Sequence, residues 1–100
     1  MDQEYRGMAI GVFELDSYLS CFVALDQAAK AANVRIQSIE RNRLKSGACV
    51  KMRGTVSDVN AAMDAALRSA EEQGAQIVSH TIIASPDDDT EIAIEMTINK

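Results

Sequence analysis

Apolar and polar positions alternate from Gly7 to Leu15, which predicts a strand with Met8, Ile10 and Val12 on one face and Ala9, Gly11 and Phe13 on the other. Glycine weakens a strand interior and often marks the close approach of another backbone, so Gly11 is read as a point of tight packing. Asp16 or Ser17 supplies an N-cap for a helix over Tyr18 to Ala32. Its apolar residues Tyr18, Leu19, Cys21, Phe22, Val23, Ala24 and Leu25 occupy nearly every angle around the axis. A helix lying on one sheet needs a single apolar stripe, and burial of a second side by another subunit is therefore expected. Ala28, Ala29, Ala31 and Ala32 permit close helix approach. Asn33 is expected to end the helix, since asparagine tolerates the left-handed cap.

Val34, Ile36 and Ile39 then predict a second strand reaching Arg41. After the turn Lys45-Ser46-Gly47, Ala48, Val50 and Met52 alternate with Cys49, Lys51 and Arg53. That is a third strand with one apolar and one mostly polar face, paired with the second as a hairpin. Thr55 caps the next helix while Asp58 reaches back, a shorter-armed capping box. Val56, Val59, Met63, Ala66, Leu67 and Ala70 recur at helical spacing until Gly74 stops the helix. Ala75 to Ile83 reads as a fourth strand, with His80 inside it as a structural residue. Beyond the break at Ser85-Pro86-Asp87-Asp88-Asp89, Ile92, Ile94, Met96 and Ile98 alternate with polar or small neighbours, which reads as an extra strand or strand-forming arm. The predicted class is α+β, a ferredoxin-like split βαβ in the order β-α-β-β-α-β. A polar arm over 1–6 precedes the domain over 7–86, and an acidic, strand-forming extension over 87–100 follows it.

A chain of 100 residues makes one domain with one core. Its 47% apolar and 25% charged residues are the balance of a globular protein. No apolar run reaches membrane-spanning length, and Met1-Asp2-Gln3-Glu4 lacks a basic start followed by an apolar core, so a cytoplasmic protein with no membrane contact is expected. The net charge of −5 disfavours general nucleic-acid binding. Cys21 and Cys49 fit no disulfide framework or metal spacing, and one histidine completes neither a zinc site nor a triad. No cofactor, metal or catalytic residue is expected, and Asp87 to Asp89 read as a solvated patch. Against this acidic background, Arg41, Arg43, Lys45, Lys51 and Arg53, half of the ten basic residues, crowd between Glu40 and Gly54. They form either a solvated hairpin tip or an anion-facing loop whose gathered cations attract negative solutes.

Several segments resemble the single-domain shell proteins of bacterial microcompartments, which tile as hexamers. Ala9-Ile10-Gly11-Val12-Phe13-Glu14 resembles that family's opening strand, Ala-x-Gly-x-x-Glu. Asp26-Gln27-Ala28-Ala29-Lys30-Ala31-Ala32-Asn33-Val34 is similar to the end of its first helix, Asp-x-x-x-Lys-x-Ala-Asn-Val. Met52-Arg53-Gly54 with Val59, Ala62, Asp64 and Ala65 is similar to its third strand and second helix, and His80 with Pro86 to its last strand and exit. The resemblance spans about residues 7 to 90.

The resemblance implies a structural subunit and no enzyme. Such a subunit forms a cyclic hexamer that tiles with other shell proteins around a central pore for small polar or anionic metabolites, in a cytoplasmic microcompartment. It implies that Asp26, Lys30 and Asn33 line the hexamer edge, with Ser85 where the family often has arginine. It implies that Arg43, Leu44, Lys45, Ser46 and Gly47 form the pore loop. The family usually shows a Gly-Ser-Gly step there; this chain carries one extra residue between Glu40 and Arg53, leaving Lys45 and Ser46 as alternative pore-facing residues. The 87–100 extension would cover one face of the tile, pair with a neighbour or recruit encapsulated enzymes. Some relatives hold an iron–sulfur cluster on a pore cysteine, but Cys49 falls inside a strand. An alternative from another class is a ferredoxin-like regulatory module that dimerises and binds a small molecule between its subunits.

Overall fold

The computed structural model describes residues 3–42 and 46–98. Four strands, β1 (Ala9–Leu15), β2 (Arg35–Arg41), β3 (Ala48–Gly54) and β4 (Ile77–Ile83), form one antiparallel sheet in the order β2-β3-β1-β4. Helices α1 (Tyr18–Ala31) and α2 (Val56–Glu72) cover one face. Period-two alternation sends Ala9, Gly11, Phe13 and Leu15 of β1 and Ala48, Val50 and Met52 of β3 toward them, and all seven are buried. Cys21, Ala24 and Ala28 of α1 and Val59, Ala62, Met63, Ala66 and Ala70 of α2 complete that core.

Gly11 has the role its position suggests. A Cβ there would lie 2.8 Å from Val59 Cγ1 and 3.1 Å from Met52 Cε, so its absence lets α2 lie close to β1. Ser17 caps α1, its side chain accepting from the Ser20 N–H. Thr55 caps α2 by accepting from the Asp58 N–H at 3.1 Å. Asp58 does not close the reciprocal half of a capping box. Its Oδ2 accepts from the Thr55 hydroxyl, and its Oδ1 accepts from the Asn33 N–H at 3.4 Å, tying the exit of α1 to the start of α2. Gly74 follows α2 at φ 75°, the left-handed stop expected of it. The end of α1 differs from expectation: its cap is Ala32 in extended backbone, and Asn33 lies beyond it.

The largest correction is at the C-terminal end. Residues 91–98 do not form a strand or strand-forming arm; 91–97 belong to helix α3 (Asp88–Thr97), and Ile98 caps it. Asp87 caps it by accepting from the Asp89 N–H at 3.0 Å, and Asp88, Asp89 and Glu91 place negative charge in its first turn. The alternating residues separate on the helix. Ile92 and Met96 are exposed, while Glu91, Ile94, Glu95 and Ile98, spaced i, i+3, i+4 and i+7, are the more buried ones. The stripe turned inward therefore mixes carboxylates with isoleucines, a pattern that hydrophobic periodicity alone does not register.

Those carboxylates meet cations on the sheet face opposite α1 and α2. Arg53, fully buried, donates to both carboxylate oxygens of Glu91 at 3.0 and 2.5 Å, to Gln37 Oε1 at 3.1 Å and to the Met8 carbonyl at 3.0 Å. Arg6 pairs with Glu95 at 3.3 Å, and the Gly7 N–H donates to Glu91 Oε2. The sequence predicts a polar arm over residues 1–6. The described part contains a 3₁₀ turn, Gln3–Tyr5, held to β2 by the Glu4–Arg35 ion pair and by Arg35 stacked 5.4 Å from the Tyr5 ring centre.

Removing one partner of a buried ion pair leaves the other charge uncompensated. Glu91→Ala should therefore lower unfolding stability by about 3–5 kcal/mol, read from the urea midpoint; a loss of a few tenths would show that α3 does not anchor the sheet. The hydrogen bonds from Arg53, set against the opposing effect of burial, hold the Glu91 carboxyl below its ordinary value of 4.5. A depressed folded value adds stability that is present above the unfolded value and lost as pH falls through the folded one. Acid unfolding of the parent chain should thus steepen as pH falls below that ordinary value, and Glu91→Gln should remove that steepening.

Candidate functional site

The residues expected to contact other tiles stand at one end of the sheet, and Ser46 and Gly47, the described residues of the expected pore loop, stand at the other. β1 runs from Ala9, paired with Gly54, to Leu15, paired with Ala48. At about 3.3 Å per residue, this seven-residue strand separates the two ends by roughly 20 Å. α1 runs the other way, from Tyr18 beside the 46–47 turn to Lys30 near the Ala9 end.

At the Ala9 end, Lys30 Nζ and Asp26 Oδ2 pair at 2.8 Å one helical turn apart, with both side chains more than half exposed. Asn33 is exposed, and its carbonyl lies 3.1 Å from where a Gly54 Cβ would stand, so glycine permits this close crossing. Ser85 is exposed beside buried Pro86. A shallow cleft joins Ala84 to Gly54, Thr55 and Val56, so the exits of β3 and β4 adjoin. The four expected edge residues thus share one end of the fold.

At the other end, Arg43, Leu44 and Lys45 lie outside the described residues. Ser46 and Gly47 are held against the β1–α1 junction. The Ser46 hydroxyl donates to the Asp16 carbonyl at 2.8 Å, and the Ser46 carbonyl accepts from the Tyr18 N–H at 2.8 Å. A Cβ on Gly47 would lie 2.2 Å from the Leu15 carbonyl oxygen, so only glycine fits this contact. The Asn42 N–H donates to the Gly47 carbonyl at 2.8 Å and closes the base of the hairpin.

The basic stretch is not one electrostatic unit. Arg53 is buried against Glu91 at the far end of β3, and Lys51 is buried against Glu40. Arg41 lies 4.4 Å over the Tyr18 ring on the helix-bearing face. The reading that gathers all five cations at a loop tip is therefore corrected: alternation along β3 turns Lys51 and Arg53 into the polar face, where carboxylates from β2 and α3 meet them. His80 is exposed on the edge strand β4.

The sequence reading passed over a row of polar side chains on that same face. Glu40, Cys49 and Glu14 are register partners across β2, β3 and β1. Burial, opposed by Lys51 and reinforced by the two carboxylates, pushes the Cys49 thiol above its ordinary value. The signal available in sequence was the polar alternation Cys49-Lys51-Arg53, whose cations call for buried anions nearby.

Among the described residues, no helix is long and apolar enough to cross a membrane. A family model described as the BMC domain matches residues 9–86. The carboxysome shell protein CcmK3 of Halothece sp. is 32% identical over 85 residues, covering 84% of this chain and 82% of that protein. The carboxysome shell protein CcmK2 of Synechococcus elongatus is 35% identical over 89 residues, covering 87% and 85%. Among solved structures, a microcompartment protein from Desulfitobacterium hafniense superposes with a TM-score of 0.77 at 30% identity. That match covers 85% of this chain and 47% of the solved one, so this chain spans about half its length.

Proposed function

This chain belongs to the BMC domain family, and from that membership we propose that it is a structural, non-catalytic shell subunit of a bacterial microcompartment, assembling as a cyclic hexamer that tiles with other shell proteins. The observation that carries the reading is the apolar surface of α1 that the described residues leave exposed. Leu19 is 77% exposed, Phe22 43% and Val23 49%, on a helix whose other side already fills the core. Phe22 meets Tyr18 edge-on at 5.1 Å, and Tyr18 carries Arg41 of β2, so this surface adjoins the β2 flank. At the opposite flank β4 is the outer strand of the sheet, with Val78 half exposed. Two unlike flanks favour head-to-tail contact, which closes into a ring when the rotation allows.

In that ring Asp26, Lys30, Asn33 and Ser85 face neighbouring tiles, and the 43–47 turn faces the axis. Lys51 and Arg53 are neutralised inside the fold, so any preference of the pore for anions over neutral polar solutes rests on Arg43 and Lys45. Ser46 gives its hydroxyl to Asp16 within the fold. The α3 segment covers the sheet face opposite α1 and α2 and leaves Ile92 and Met96 exposed for encapsulated enzymes to contact.

Light scattering after size exclusion should give a mass near that of a hexamer of the 10.8 kDa chain. Phe22→Glu should shift the population toward smaller species with far-ultraviolet circular dichroism unchanged. A dimer in the parent chain would instead point to the ligand-binding regulatory module. Exposed ion pairs one helical turn apart, as Asp26 and Lys30 are, contribute about 0.3–0.5 kcal/mol. Lys30→Ala should therefore leave the urea midpoint of the chain nearly unmoved while abolishing extended sheets in electron micrographs; intact sheets would remove Lys30 from the edge.

A further inference from the structure

The two long helices meet along a seam marked by Gln73, whose Nε2 donates to the Ser20 carbonyl of α1 at 3.3 Å and to Ser69 Oγ of α2 at 3.1 Å. Two residues along a helix turn about 200° around its axis. Tyr18 and Phe22, two residues either side of Ser20, therefore stand away from α2. Arg41 of β2 lies over Tyr18, which fixes that side as the β2 flank. By the same rotation Glu71, two residues past Ser69, stands away from α1, on the β4 side of α2. One register row, Arg41–Ala48–Leu15–Ile77, crosses all four strands. Arg41 closes it on one flank and Ile77 on the other, at the end of the sheet where α2 also finishes.

Among the described residues Arg41 forms no ion pair, and neither Glu71 nor Glu72 forms one, with Arg68 one turn back or with any other cation. Carboxylates in the last turn of a helix face the negative end of its dipole, and α2 has no basic residue there. The two glutamates repel the helix end that carries them, and a cation from outside relieves that repulsion. Arg41 is held ready to supply one. A guanidinium stacked on an aromatic face keeps its fork of N–H donors free to grip a carboxylate. Beside that stack Phe22 is 43% exposed, and on the other flank Val78 is 52% exposed. Each flank thus joins an apolar side chain to a charge, and the charges are opposite in sign.

We propose that the two flanks are the halves of one contact between copies of this chain, in which Arg41 of each subunit pairs with Glu71 of the next while Phe22 packs on Val78. The inference rests on the ring proposed above and names what closes it. Both flanks meet at the end of the sheet that carries the 46–47 turn, so one rotation about an axis beside that turn joins them. The apolar contact supplies area, and the ion pair sets register and direction. Pairing like flanks instead would set Arg41 against Arg41, or Glu71 against Glu71.

Charge exchange in the full chain tests the pairing. At low ionic strength, Arg41→Glu and Glu71→Arg should each lose the ring mass of the parent in light scattering, with far-ultraviolet circular dichroism unchanged. Mixed in equal amounts, the two variants should regain it, because each flank of one then meets the opposite charge on the other. Native mass spectrometry of that mixture should find equal numbers of the two variants in each ring. The double variant Arg41→Glu, Glu71→Arg should form the ring by itself. A misfolded flank would not be restored by mixing. Single variants that keep the parent's ring mass, or a mixture that stays dissociated, would overturn the pairing and leave the ring standing. A parent chain that forms no ring would remove both.

Discussion

A guanidinium with no solvent exposure sits on the sheet face that the two long helices do not cover, and the Arg53–Glu91 pair is what makes that arrangement tenable. Taking a charge out of water is costly unless an opposite charge and hydrogen bonds replace the lost hydration. Arg53 finds Glu91 on α3, Gln37 on β2 and the Met8 carbonyl before β1, three partners far apart in sequence. The pair therefore holds the start of β1, a sheet edge and the last helix in one arrangement. With it, α3 becomes a third layer instead of an appendage, and Arg6 and Glu95 extend the same contact between the two ends of the described chain.

That constraint divides the sheet into two chemically different sides. The side under α1 and α2 is filled by small and branched apolar residues and relies on Gly11 for close packing. The other side holds buried or half-buried charges in rows: Arg53 with Glu91, Lys51 with Glu40, then Glu14 with Asn42 beside Cys49. Two of the cations that look in sequence like a patch for soluble anions, Lys51 and Arg53, are thereby spent on internal partners. What faces outward is of another kind, namely the apolar side of α1, the outer edge of β4 and the exposed Asp26–Lys30 pair. The residues that hold the fold and those proposed for assembly are thus different, so variants can separate them.

The strands, the two long helices and their order were legible in the sequence because each rule involved is local. Alternation marked Ala48, Val50 and Met52 as inward, helical spacing marked Val59, Met63, Ala66 and Ala70, and Thr55 and Gly74 punctuated α2. The doubly apolar character of α1 was equally readable, since it needs only the angles of successive side chains; the structure leaves Leu19, Phe22 and Val23 exposed, as that reading requires. For the candidate site, the sequence supplied the edge and loop residues through resemblance alone. The structure adds that Asp26, Lys30, Asn33 and Ser85 gather at one end of the fold and the 46–47 turn at the other.

Tertiary structure decided everything that depended on partners distant in the chain. Residues 91–98 satisfy a strand pattern as well as a helical one, and what selects the helix is the Asp87 cap together with the arrival of Glu91 and Glu95 at Arg53 and Arg6. The pairing of Glu40 and Glu14 across Cys49 follows from strand order and register, which no local window contains. Sequence determined which residues prefer which backbone and which faces are apolar, because those preferences arise within a few residues. It did not determine which charges would be buried together. The free energy of a buried charge depends on the group opposite it, and only the folded chain says which group that is.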